Sequence, residues 1–270
     1  MADVDAEALG ESLQDVHPGW LLAAVLSTML TAAAITARWW LLLDRPHPPR
    51  LTLLFHSIIA SHVANIVIPF RIGDGIRVVT ASQIMGLGVA RATSATVLER
   101  LTEVVTAAGV ALTVLALGLV PGWAATAVTS LAWVGGGVLV AAAAGLLGVR
   151  MARARHIVAW LPARDVWPAV VATSGIVAAG SVLTNVLVFA ACDVAVPLSA
   201  AVLLMVTLQV GTTIVAVPGG LGVSQLVTVK TLELWQVPPA EAFALSLVLY
   251  AVARLPKLAL LPWSMARLKR

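Results

Sequence analysis

The chain has 270 residues, of which 60% are hydrophobic and 11% charged, with a formal net charge of +4. An ordinary soluble domain carries about 25% charged residues, so this composition leaves too few charges to cover a globule and excludes a soluble fold. The positive excess has no basic soluble segment to occupy, which excludes nucleic acid as a partner.

Residues 1–18 form an acidic segment with Asp3, Asp5, Glu7, Glu11 and Asp15 and no Lys or Arg. A secretory signal starts basic, so none is expected. Beyond it the apolar runs are long: Gly19–Trp40 holds only Arg38, Val104–Val149 holds no charge, and Leu183–Val229 holds only Asp193. A bilayer crossing takes about 20 apolar residues. In lipid only helices or closed barrels satisfy their backbone groups, and continuous rather than alternating runs select helices. The predicted fold is therefore all-α, a polytopic transmembrane helical bundle forming a single domain over residues 19–262. Its crossings are predicted at 19–43, 92–120, 124–149, 166–191 and 240–262, followed by a basic tail, 263–270. The single cysteine, Cys192, and the lack of any Cys/His ligand spacing predict no disulfide, metal or other cofactor.

Basic residues mark cytoplasmic ends. Arg45 with Arg50, Arg150 with Arg153, Arg155 and Arg164, and Arg267 with Lys269 and Arg270 form three basic clusters. The expected protein is thus multi-pass in the cell membrane, with its N-terminus outside and its C-terminus cytoplasmic. For all three clusters to stay inside, the remaining segments, 51–90 and 198–236, must each return to the side they left, as re-entrant helical hairpins. Both contain a break suited to a turn: Pro69-Phe70-Arg71-Ile72-Gly73-Asp74-Gly75 and Pro218-Gly219-Gly220-Leu221-Gly222. Pro218 follows Pro69 by 149 residues, and the flanking crossings are offset similarly. This predicts an inverted-topology repeat: 19–120 and 166–262, joined by an adaptor helix at 124–149. Such repeats place broken helices at a substrate site near the midplane. Leu51–Ile68, roughly 27 Å as a straight helix, either starts along the interface or reaches well past the midplane.

Ionisable groups inside spans are costly and face a cavity or a partner. Arg71, Asp74 and Arg77 flank the first break and suggest an anion site, two guanidinium groups beside the free N–H groups of a helix start; the alternative is a solvated loop with an Asp–Arg pair. His62, Asn65 and Pro69 share a helix face. Asn65 either bonds backbone groups freed by Pro69 or joins helices, and His62 is either an interior histidine or a proton carrier. Glu99, Arg100 and Glu103 occupy one stretch of the crossing at 92–120, and Glu99 and Glu103 would repel unless a cation lies between them. Arg254 or Arg71 is expected to supply that cation. Tyr250, Arg254 and Lys257 share a face of the last crossing, with Lys257 able to snorkel to the interface. At the second break, Gly219 and Gly220 would let backbone amides approach a headgroup, with Ser224 and Gln225 as neutral hydrogen-bonding groups; tight helix packing selects the same glycines. Gln209 and Thr213 lie on the limb before it. No nucleophile–base set, Gly-x-Ser-x-Gly elbow, His-x-x-x-His pair or Walker-type loop is present.

Asn65…Pro69-Phe70-Arg71-Ile72-Gly73-Asp74…Arg77, Val97-Leu98-Glu99-Arg100-Leu101 and Val217-Pro218-Gly219-Gly220-Leu221-Gly222-Val223 together resemble the flippase-like membrane region of lysylphosphatidylglycerol synthases, over roughly residues 20–262. That family usually has Glu at the position of Asp74 and an acidic residue at that of Gln225. The resemblance implies movement of a lipid with an anionic or aminoacylated headgroup. Some members continue into a soluble aminoacyl-transfer domain, an activity not expected here because the chain ends at Arg270. The expected function is thus a non-enzymatic lipid transporter, binding its substrate through Asn65, Arg71, Asp74, Arg77, Glu99, Arg100, Glu103, Gly219, Gly220, Gln225 and Arg254. The alternatives are a membrane-embedded enzyme or enzyme subunit using Glu99 and Glu103 as acid–base groups, and a scaffold for a separate lipid-modifying enzyme.

Overall fold

A computed structural model describes residues 16–43, 49–68, 72–118, 129, 162–214 and 217–269. Those residues form eight α-helices and no strand: α1 (Pro18–Leu43), α2 (Leu51–Val67), α3 (Ile72–Met85), α4 (Val89–Ala116), α5 (Trp167–Ala191), α6 (Leu198–Ile214), α7 (Val223–Leu232) and α8 (Pro239–Leu268). The adaptor predicted at 124–149 lies outside the described residues apart from Thr129.

Local chemistry sets the boundaries. Ile68, which precedes Pro69, is extended at φ −108° and ψ 131° and ends α2, because a proline ring clashes with a helical residue before it. Pro168 and Pro239 stand in the first turns of α5 and α8, where the missing N–H has no helical partner to lose. In the second break Gly219, Gly220 and Gly222 all have positive φ, a conformation that costs other residues a clash at Cβ. The polypeptide can therefore reverse between α6 and α7 within a few residues.

Three helices are long and apolar enough to cross a membrane: α1, α5 with its 3-10 lead-in, and α8, spanning 26, 28 and 30 residues. α4 is as long, at 28 residues. However, every 18-residue window in it contains Glu99, Arg100 and Glu103, more charge than an unpartnered span tolerates. Its place in the bundle depends on partners for those three groups.

α1 and α5 make the most extensive pairing. α2 packs on α3 and on α8; α6 packs on α7 and on α4; α3 meets α4, and α7 meets α8. At the α1–α5 contact small groups bring the backbones close: Ser27 Oγ donates to Gly180 O at 3.1 Å, and Thr184 Oγ1 donates to Ser27 Oγ at 2.9 Å.

Of three apolar cores, two lie toward opposite ends of α1. One gathers Ala24, Val188, Phe189, Leu204, Leu232 and Leu245. The other gathers Trp39, Leu42, Leu43, Leu54, Ile58 and Val170. Between them α1 carries Ser27, Thr28, Thr31 and Thr36, and α5 carries Ser174, Ser181, Thr184 and Asn185. The bundle therefore has a polar middle layer between two apolar ends, and Arg100 and Glu103 of α4 and Arg254 and Lys257 of α8 turn toward it.

Candidate functional site

The central charges form a chain of alternating sign. Arg77 on α3 pairs with Glu99 Oε2 on α4. Glu99 Oε1 faces Arg38 Nη2 on α1 at 3.4 Å, and the same Nη2 reaches Glu103 Oε1 at 2.8 Å. Glu103 Oε2 takes Arg100 Nη1 at 2.7 Å. Arg100 then grips Asp74 with two bonds, Nη2 to Oδ1 at 2.7 Å and Nε to Oδ2 at 3.0 Å. Three guanidinium groups and three carboxylates thus join α1, α3 and α4. Arg77 also lies over the Trp39 ring, 4.5 Å from its centroid, a favourable cation–π geometry.

This corrects one of the two expected partners of the acidic pair, Arg254. Arg254 does not meet Glu99 or Glu103: its Nη2 donates to Gly219 O in the second break, and its guanidinium lies 3.7 Å from the Tyr250 ring centroid. The break supplies the reason, since a non-helical turn exposes a carbonyl with no helical donor. Arg71 lies outside the described residues. The cation between the glutamates is Arg38, which the sequence shows only as the single charge near the end of an apolar span. Its position inside a hydrophobic run is the one hint of a buried partner.

At the first break, Asn65 Oδ1 accepts the Gly73 N–H at 2.8 Å. A first-turn donor of α3 is thereby capped from α2, not left free for an anion. Gly73 packs so tightly that a Cβ there would overlap Ser61 O and Asn65 Oδ1. At the second break, Gln225 Oε1 accepts the Gly222 N–H at 2.7 Å and a bond from Ser224 Oγ at 3.1 Å. Asn65 and Gln225 both act as neutral supports of their breaks.

A polar cavity occupies the middle layer in two adjoining lobes. One, of about 280 Å³, lies among α1, α5, α6 and α8 and includes Thr31, Ser181, Tyr250 and Arg254. The other, of about 400 Å³, includes His62, Asn65, Arg100, Glu103, Gly219 and Gly220. Arg254, Lys257, Gln209, Thr212 and Ser181 line both lobes. Lys257 thus faces the cavity where sequence suggested snorkelling to the interface. Of the sequence-predicted substrate groups, Asn65, Arg100, Glu103, Gly219, Gly220 and Arg254 meet at the cavity. Asp74, Arg77, Glu99 and Gln225 lie off both lobes and act through their neighbours.

The cavity's charge balance follows from these contacts. Arg100 and Glu103 neutralise each other and their neighbours. Arg254 and Lys257, one turn apart on α8, have no carboxylate within salt-bridge distance among the described residues. His62 Nδ1 lies 2.9 Å from Ile58 O. A carbonyl only accepts, so Nδ1 carries a proton. No group of three His, Cys, Asp or Glu residues suited to a metal ion occurs among the described residues.

A family model of the lysylphosphatidylglycerol synthase TM region matches residues 1–259. No curated protein and no solved structure matches the chain.

Proposed function

The chain belongs to the lysylphosphatidylglycerol synthase transmembrane-region family, as the motifs at its two breaks imply, and on that footing we propose that it is a lipid transporter of the cell membrane. A phosphate-bearing headgroup passes through the polar cavity while its acyl tails stay in the bilayer. The observation that carries this reading is the pair Arg254 and Lys257, two cations in a cavity without carboxylate partners among the described residues. A phosphodiester supplies the missing negative charge and accepts charge-assisted hydrogen bonds.

The packing supports an inverted repeat as the moving frame. Exchanging α1 with α5, α2 with α6, α3 with α7 and α4 with α8 maps the principal packings onto one another. The α2–α8 contact becomes α6–α4, and α1–α2 becomes α5–α6. In this reading α2–α3 and α6–α7 are the two re-entrant pairs, and their breaks flank the headgroup path. Glu99 and Glu103, which an enzyme acting on the headgroup would use as acid and base, are instead held by arginines. A scaffold would have no need of a polar cavity.

Purified protein in liposomes, with fluorescent phosphatidylglycerol in one leaflet, tests the proposal. Wild type should equilibrate the lipid between leaflets at least tenfold faster than an Arg254→Ala/Lys257→Ala variant. Equal rates would sink it, and a chemically altered lipid in the extract would favour the enzymatic alternative.

A further inference from the structure

We propose that the cavity takes up a proton together with its anionic headgroup: His62 is neutral when the cavity is empty, gains a proton on Nε2 when a phosphodiester enters, and gives it up when the headgroup leaves. This rests on the cavity being the headgroup site.

His62 on α2 lines the larger lobe. Its Nδ1 proton is held by Ile58 O at 2.9 Å, one turn back on the same helix. That bond fixes the ring, and Nε2 has no hydrogen-bond partner among the described residues. Of the side-chain types lining the lobes, histidine is the one whose ordinary titration falls near neutral pH. Glu103, the one carboxylate among the described lining residues, has both oxygens committed: Oε1 to Arg38 at 2.8 Å and Oε2 to Arg100 at 2.7 Å.

The charges around His62 set when the proton is taken. α1, α3, α8 and the second break pack against α2. α1 brings Arg38, tied to Glu99 and Glu103. α3 brings Arg77, paired with Glu99, and Asp74, paired with Arg100. α8 brings Arg254 and Lys257, and α4 presents Arg100 and Glu103 to the same lobe. The second break, Pro218–Gly222, has no charged side chain. On α2 itself the other histidine, His56, lies 3.2 Å from Ser264 Oγ and lines neither lobe. The cations whose fields reach the His62 ring are Lys257, Arg77 and Arg100, with Lys257 foremost.

The paired arginines and carboxylates cancel, which leaves Arg254 and Lys257. An imidazolium in the empty lobe would be a third uncompensated cation, and like charges repel strongly in a water-poor interior. A phosphodiester removes that opposition. Linkage is reciprocal, so the proton favours the headgroup by the same factor as the headgroup favours the proton. The proton comes from the solution on the side where the headgroup enters and returns to solution where it leaves. Headgroup and proton together are electrically neutral, and a proton gradient then drives the lipid.

Purified protein in weakly buffered detergent with a pH indicator tests the coupling. Phosphatidylglycerol added near neutral pH should draw up to about one proton per lipid bound, and binding should be severalfold tighter at about pH 6 than at about pH 8. His62→Asn and His62→Gln each keep a neutral hydrogen-bonding group that takes no second proton. Both should bind the lipid without proton uptake and without pH dependence, and His56→Gln should behave as wild type. Lipid bound by wild type without proton uptake, or uptake that survives in the His62 variants, would overturn the proposal and leave the headgroup site standing. Loss of lipid binding by both His62 variants at every pH would make His62 a contact and not a proton carrier, which also overturns it. Retention of no lipid by wild type would overturn both readings. Proton-linked binding without leaflet exchange would reject transport and leave the linkage standing.

Discussion

Arg38 on α1 and Glu99 on α4 meet at 3.4 Å with both side chains buried, although 61 residues separate them in sequence. Glu99 also holds Arg77, so one carboxylate joins two guanidinium groups from two other helices. An interior group so placed has no water to fall back on when a partner is removed.

Glu99→Gln is therefore expected to destabilise the bundle by about 3–5 kcal/mol, the usual consequence of leaving a buried charge unpaired. Arg77→Gln should do comparable damage, and the double variant should lose much less than the sum. A double-mutant cycle by thermal unfolding in detergent measures this coupling; strictly additive losses would show that the pair does not act as a unit.

Asn65 and Gly73 give a second test, confined to the first break. Asn65→Ala leaves the Gly73 N–H without its acceptor and should cost about 1 kcal/mol, the typical value of a helix cap. Gly73→Ala should cost more, about 1–3 kcal/mol, because the added methyl meets the Ser61 backbone oxygen, which cannot rotate away. Unfolding midpoints in one detergent rank the two, and Gly73→Ala at or above wild type would contradict the close packing.

Gly180 offers the contrasting case. A Cβ there meets Thr31 Oγ1 on α1, the rotatable end of a side chain and not a backbone atom. Gly180→Ala should lower stability by less than about 1 kcal/mol, and adding Thr31→Ala should remove the effect. Persistence of the loss in the double variant would place the strain elsewhere.

Much of this fold can be read from the sequence because its determinants are one-dimensional. Long uncharged runs require helices in lipid, and the residue before a proline leaves the helical region, as Ile68 does at the end of α2. The Arg100–Glu103 bond is likewise legible, since an i, i+3 pair meets on one helix face. Arg38 is not. Besides it α1 bears only small hydroxyl groups, at Ser27, Thr28, Thr31 and Thr36, which name no partner on another helix, and Glu99 becomes its neighbour only through packing. Arg254 was hidden for a related reason: its partner is the Gly219 carbonyl, and a backbone oxygen leaves no mark in a residue list. Lys257 reads as interfacial by its place late in the helix, whereas it faces the cavity.

Tyr250 should set how firmly Arg254 is held. The guanidinium lies 3.7 Å from the ring centroid, and such contacts contribute about 0.5–2 kcal/mol. Tyr250→Phe keeps the ring and should keep at least half of the leaflet-exchange rate. Tyr250→Leu should lower that rate severalfold with little change in the unfolding midpoint. A Tyr250→Leu rate equal to wild type would show that the Gly219 carbonyl alone positions Arg254.

The alternating chain of Arg77, Glu99, Arg38, Glu103, Arg100 and Asp74 has a consequence for membrane voltage. Its charges sum to zero, so moving it as a rigid body along the membrane normal does no electrical work. Arg254 and Lys257 have no such balance, and each full charge carried through a 100 mV potential is worth about 2.3 kcal/mol. A potassium diffusion potential imposed on the liposomes should therefore change the exchange rate, and Lys257→Gln should flatten that dependence. The electrical handle of the molecule is then α8, the helix that bears the uncompensated cations, while the far larger collection of charges on α1, α3 and α4 is invisible to the field.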